Sequence, residues 1–247
     1  MRTVAIWLLT FFGLTFFLSA QDISNIIPDT VENGYFKMDY SGIQISGYFE
    51  NYKMTGTWIT AYSDGQVHII ENYKGGKRNG LRVRLNQRGI LEEQEYYVDD
   101  SLDGQRLQFN VGGKLQLEEN FSNGTLNGIR KVFYERGGLQ EESDYVNGLR
   151  DGEAKWYDTE NHLVAVYTYK LGKFEGWQRT YYSDGTAKVE QMYENNIASG
   201  PYTEYYPNGK KKKTGQFKKN MKEGVWVEYR EDGKVEKEVT YKNGEEK

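Results

Sequence analysis

"GVWVEYREDGKVEKEVTYKNG", residues 224–244, holds two alternating stretches on either side of an Asp-Gly pair, and it ends on an Asn-Gly pair. Its leading glycine recurs upstream at Gly200, Gly176, Gly152, Gly128, Gly104, Gly80 and Gly56, a constant step of 24 residues. Gly56 to Lys247 is therefore a tandem array of eight units without an insertion. A period of this size is the mark of a repeat architecture, in which one small unit stacks on the next and cannot bury its apolar face alone.

Numbering the leading glycine as position 0 exposes the columns. Position 9 is Gly65, Gly89, Gly113, Gly137, Asn161, Gly185, Gly209 and Gly233, all residues that tolerate positive φ. Position 17 is Tyr73, Tyr97, Phe121, Tyr145, Tyr169, Tyr193, Phe217 and Tyr241, aromatic throughout and read as structural stacking. Position 5 is Ala61, Leu85, Phe109, Phe133, Tyr157, Tyr181, Tyr205 and Tyr229. Position 11 is Val67, Leu91, Leu115, Leu139, Leu163, Ala187, Lys211 and Val235.

Triplets such as Ser183-Asp184-Gly185 and Pro207-Asn208-Gly209 precede the second stretch of each unit and read as hairpin turns. A two-residue turn would set position 5 against 12. A three-residue loop, a type I turn closed by a left-handed glycine, sets 5 against 11 and pairs the two apolar columns. The second reading is adopted. Continued without interruption, it sets 2 against 14 and 4 against 12, pairing Arg106 with Glu118, Arg130 with Glu142 and Arg84 with Glu92. Columns 5, 11 and 17 would then share one apolar face, and the other face would be solvated and charged.

The expected fold is all-β: an elongated single-layer antiparallel meander of 24-residue β-hairpin repeats. Sixteen strands at about 4.8 Å each would extend roughly 75 Å before twist. Residues 34–55 resemble a shortened further unit with Phe49 at position 17, and read as a degenerate N-terminal capping repeat; residues 21–33 read as a linker.

Residues 1–20, "MRTVAIWLLTFFGLTFFLSA", carry Arg2, an apolar run from Val4 to Leu18, and then Ser19-Ala20. This order is that of a signal peptide cleaved near Ala20, and the run is short for a membrane span. The bulky Leu18 leaves an uncleaved anchor as the alternative. Either reading gives an exported protein: periplasmic, at the cell surface, or secreted. The net charge is −4, and removing residues 1–20 makes it one unit more negative, a balance unsuited to general nucleic-acid binding. With no cysteine in the chain, disulfides, thiolate metal sites and cysteine nucleophiles are excluded.

The columns resemble the MORN repeat, and more closely its bacterial variant, in which a glycine, an aromatic pair, an Asn-Gly-type turn, a polar strand and a final Tyr-x-Asn follow in order. The stretches 176–196 and 224–244 carry this pattern, and the resemblance covers residues 56–247. It implies an elongated sheet of hairpins used for protein contacts, dimerisation or, in some members, anionic lipids. Many bacterial variants are labelled YwqK-type antitoxins. No catalytic residue is implied. Asn86 and Asn110 replace the second aromatic in units 2 and 3 and would interrupt a continuous aromatic strip.

Neither a cofactor nor a metal site is expected. His68 and His162 fall in units four apart and read as surface strand residues, and neighbouring acids such as Glu118-Glu119 point to opposite faces of a strand rather than converging on a cation. The strongest break in the repeat is "KKKKTGQFKK", residues 210–219. Lys210, Lys211, Lys212, Lys213, Lys218, Lys219 and Lys222, with the flat faces of Tyr182, Tyr202 and Tyr206, form the candidate binding site. Lys211 and Lys213 are expected on one face. The bland reading of the same lysines is a solvated run that discourages edge pairing. The leading expectation is an exported, non-enzymatic scaffold that binds a protein partner or an envelope surface. The alternatives are an antitoxin or immunity protein that neutralises a toxin, and an anionic-lipid or glycan-binding module. Oligomeric state is not legible.

Overall fold

The computed structural model describes residues 26–28 and 30–247 of this chain. Residues 1–20, read from the sequence as a signal peptide, and residues 21–25 and 29 of the expected linker lie outside the described residues. All described secondary structure is β: 21 strands form one antiparallel sheet in which each strand pairs with its neighbours in sequence. Two of the long strands are interrupted before their glycine, as in Ser101–Leu102 followed by Gly104–Phe109.

Each unit turns twice, and the two turns differ. At the tip, the Gly65 N–H donates to the Tyr62 carbonyl (2.9 Å) and the Tyr62 N–H to the Gln66 carbonyl (2.8 Å). Gly65 has φ +86° and its counterpart Asn161 has φ +67°. This is the expected three-residue loop, whose third residue must be left-handed. The other end is a two-residue turn with positive φ at both positions, Asn195 (+49°) and Asn196 (+68°) in unit 6. These second turns also join units: the Gly76 N–H donates to the Met54 carbonyl, and the Gly244 N–H to the Lys222 carbonyl, both at 2.9 Å.

From the tip loop the register starts as expected, with Leu85 opposite Leu91 and Phe109 opposite Leu115. It then shifts. Arg84 lies opposite Glu93 and Arg82 opposite Glu95, so position 12 is an extra residue and 4 faces 13 rather than 12. The expected cross-strand pairs are corrected accordingly: Arg106 faces Glu119 and Arg130 faces Ser143. A bulge that adds one residue reverses the facing of everything beyond it. Columns 5 and 11 do pair, but column 17 lies on the opposite face, with columns 2, 4, 13 and 15. The expected three-column apolar spine is therefore split between the two sides of the sheet.

The face bearing column 17 is the more buried one, and its occupants are not all apolar. Ile45, Ile69, Glu71 and Ser143 are the largest fully buried side chains. Position 15 of one unit stands beside position 2 of the next, 11 residues on, because a further register shift between units aligns Glu71 with Arg82, Ser143 with Ala154 and Tyr167 with Gln178. The pairs are complementary in charge or in bulk. Arg82 bonds Glu71, Arg130 bonds Glu119, and Trp58 and Trp226 lie over Gly47 and Gly215. A Cβ on either of those glycines would come within 2.2 Å of the indole.

Arg and Glu side chains make a ladder from unit 1 to unit 4 on this face. Arg82 reaches Glu71, Glu93 and Glu95; Arg106 reaches Glu93 and Glu119; Arg130 reaches Glu119 and Glu141; Arg150 bonds Glu141. The charged face is thus the partly buried face, contrary to the solvated charge expected from uninterrupted alternation.

His68 corrects another expectation. It is 8% exposed and its ring stacks on Tyr62 at 4.4 Å, whereas His162 is half-exposed and bonds Asp158 within a tip loop. Burial, reinforced by the guanidinium groups of Arg84 and Arg82, lowers the His68 pKa to about 4. The folded pKa lies below the ordinary value of 6.5, so His68 contributes stability that is complete above about pH 6.5 and is lost as pH falls towards 4. Thermal unfolding of a His68→Gln variant against the parent chain is expected to show a gap that narrows across that window. A gap independent of pH would contradict neutral burial.

Candidate binding site

The structure divides the lysine run. Lys211 lies opposite Tyr205 and Lys213 opposite Glu204, and successive positions 4 and 5 point to opposite faces, so Lys211 and Lys213 do not share a face as expected. The extra residue at position 12, here Lys212, separates them. Lys218 is exposed beside the second turn, Lys219 occupies that turn with φ +53°, and Lys222 follows it. Strand Lys211–Lys218 lies between the two groups and spans roughly 25 Å.

Lys210–Lys213 gather at the tip of unit 7, where acidic groups and rings meet them. The Lys212 Nζ donates to Glu204 Oε1 (2.8 Å) and stands 5.9 Å from the centre of the Tyr206 ring. Lys213 pairs with Glu228 (2.7 Å), and the Lys210 Nζ donates to the Asp232 carbonyl (3.3 Å). The hydrogen bond to Glu204 raises the pKa of Lys212, and that to Lys213 lowers that of Glu228. Tyr206, Lys212, Lys213, Glu228, Tyr229 and Glu236 line an open hollow at this end.

Tyr182 and Tyr206 hold a second role. Their hydroxyls donate to the main-chain carbonyls of Tyr205 and Tyr229, each 23 residues on, at 2.8 and 2.7 Å. Tyr62 and Tyr134 do the same with Leu85 and Tyr157. A tyrosine at position 6 is thus a staple between units, and Lys188 lies 5.6 Å over the Tyr182 ring. Where position 6 is Asn86 or Asn110, the side-chain oxygen accepts instead from main-chain N–H groups of its own tip loop. Tyr202 sits further along the strand, tilted against Trp226 at 5.4 Å and edge-on to Phe217 at 5.8 Å. Its hydroxyl reaches Glu204 at 3.5 Å, so Glu204 links it to the Lys212 group.

At the other end Lys222 lies 4.7 Å from the Trp226 ring centre and 4.6 Å from that of Tyr241. The candidate site is therefore two cation-and-ring groups on one face rather than a single basic patch. Sequence reasoning missed Glu204, Glu228, Lys188 and Trp226. The signal that would have found Trp226 is the 11-residue spacing that sets it beside Gly215. Among the described residues no group of three or more His, Asp or Glu is placed to hold a metal ion.

No curated protein matches the chain. Residues 126–147, 150–171, 199–219 and 222–243, the bodies of units 4, 5, 7 and 8, match the MORN repeat variant, a type of repeat generally associated with binding and scaffold roles and typically non-catalytic.

Proposed function

We propose that this protein is an exported, non-enzymatic scaffold that binds another protein through the tips of units 6 to 8. The observation that carries this reading is the grouping of Lys212 and Lys188 with the Tyr182 and Tyr206 rings on one face, beside Lys210 and Lys213. Tyrosine rings held by stapled hydroxyls supply flat contact area at little further loss of conformational freedom, and the lysines draw in an acidic surface. Export follows from the order of Arg2, the apolar run and Ser19-Ala20, with Gln21 as the mature N-terminus.

Changing Lys210, Lys211, Lys212 and Lys213 together to Gln tests the reading. The two ion pairs lost are surface pairs contributing at most about 1 kcal/mol each, so the array stays folded. Capture of the native partner from envelope extracts is expected to fall, and parent binding to weaken as salt rises, since exposed charges are screened beyond about 8 Å at physiological ionic strength. Mass spectrometry of the captured protein then separates an envelope component from a toxin. A quadruple variant that captures its partner normally but aggregates would overturn the site and leave the lysines as a guard against edge pairing.

A further inference from the structure

Trp58 and Trp226 stand seven units apart, and their surroundings repeat contact by contact. Each indole meets the position-17 ring of the preceding unit edge-on, Phe49 at 5.2 Å and Phe217 at 5.0 Å. Each lies at a shallow tilt to a ring one strand further back, Phe36 at 6.1 Å and 35° or Tyr202 at 5.4 Å and 31°. Each meets the next position-17 ring, Tyr73 or Tyr241, at 6.3 and 6.4 Å. Both Nε1–H groups donate to a main-chain carbonyl at 3.2 Å, that of Tyr48 or of Gln216. Gly76 and Gly244, in the following turns, have equivalent neighbours, Lys53 and Met221.

Both indoles are buried, Trp58 at 3% and Trp226 at 4% exposed, and the two clusters differ in the side chains around them. At the first, Ile27 and Val31 of the segment preceding the sheet pack against the cluster of Ile45, Phe49, Met54, Trp58 and Tyr73. Ile27 and Pro28 close a small hollow with Phe49, Tyr52, Met54 and Gly76, and Phe49 and Met54 are left 6% and 7% exposed. At the second cluster Phe217 is only half-buried, and Lys222 replaces Met54. Both residues lie on strands paired on each side, so their exposure does not come from being at the end of the array.

We propose that the second cluster docks a short extended segment of a partner protein, aliphatic like residues 26–31 and carrying a carboxylate for Lys222. The first cluster displays the apolar chemistry such a segment needs, within the same chain. The exchange of Met54 for Lys222 adds a cation 4.7 Å from the Trp226 ring centre, and so a preference for an acidic neighbour. The same segment of a second copy is the poorer occupant: in its own chain it is tied to the sheet by the Tyr52 N–H on the Glu32 carbonyl (2.9 Å) and the Asn51 N–H on Asn33 Oδ1 (3.0 Å). This inference rests on the reading that units 6 to 8 contact a protein, and it names the chemistry of one part of that partner.

The probe is a synthetic peptide with the sequence of residues 25–33, NIIPDTVEN, titrated into the chain lacking residues 1–20 and labelled with 5-fluorotryptophan. The fluorine resonance of Trp226 is expected to move while those of Trp58, Trp156 and Trp177 stay. A neutral peptide, NIIPNTVQN, should bind the parent chain about fivefold more weakly. A Lys222→Met variant, which restores the residue of the first cluster, should bind both peptides equally. The Lys210–Lys213 quadruple variant should keep peptide binding, so a failed tip site and a failed docking site are told apart. An unmoved Trp226 resonance at millimolar peptide, or movement at Trp58 instead, would overturn the proposal. So would concentration-dependent self-association of the chain that is abolished by deleting residues 21–33, which would make the occupant a second copy.

Discussion

Replacing Arg82 with alanine is expected to destabilise the array by about 3–5 kcal/mol, the range found when one partner of a buried ion pair is removed. Arg82 is 7% exposed and bonds three carboxylates: Glu71 Oε1 at 2.9 Å, Glu93 Oε2 at 3.2 Å and Glu95 Oε2 at 2.8 Å. Glu93 keeps Arg84 and Arg106 after the change, and Glu95 keeps Arg106 at 3.5 Å. Glu71, 2% exposed, keeps the Tyr73 hydroxyl and is the carboxylate left in greatest deficit. Arg130→Ala should do much less, about 1–2 kcal/mol. Arg130 is more open to water, and its partners Glu119 and Glu141 are also reached by Arg106 and Arg150. Denaturant titration of the two variants measures the contrast. Equal losses would show that burial does not set the strength of this ladder.

The second large effect is at Tyr73. Its ring is 6% exposed against Trp58, and truncation to alanine is expected to cost about 3–5 kcal/mol, as for other large buried aromatics. The constant aromatic at position 17 would place an equal cost at Tyr145 in mid-array, but Tyr145 is only half-buried, so Tyr145→Ala should cost less than Tyr73→Ala. Tyr241→Ala should cost least, since it lies in the last long strand. The order Tyr73, Tyr145, Tyr241, read from the same titration, checks the assignment. A larger loss at Tyr145 would show that the middle of the array, not the Trp58 cluster, holds most of the stability.

The difference between these expectations has one origin. Position 17 is uniform in residue type, but the burial of a ring depends on its neighbours in columns 2 and 15. Those columns are not uniform. Column 2 reads Trp58, Arg82, Arg106, Arg130, Ala154, Gln178, Tyr202 and Trp226, so a strong stack at each end flanks a charged and then a smaller middle.

What the sequence by itself determined is local. The 24-residue period, the all-β class, the three-residue tip loop and the pairing of position 5 with 11 follow from residues a few positions apart, where left-handed glycines and asparagines dictate the path of the backbone. The candidate residues Tyr182, Tyr206 and Lys212 were legible too, as departures in composition beside a turn. Only the tertiary structure decided which way each column faces. The extra residue at position 12 reverses the alternation, so that column 17 leaves columns 5 and 11, Lys213 leaves Lys211, and Arg82 turns into the buried face among Glu71, Glu93 and Glu95. Nothing in the residue types around position 12 forces that bulge. It sets position 4 against 13 and 2 against 15 within a unit, while a separate shift between units sets 15 beside the next position 2, and these side chains meet only once the strands are side by side. The same holds for the packing of Ile27 and Val31 against the cluster that contains Trp58, a contact between a segment and a sheet that no periodicity encodes.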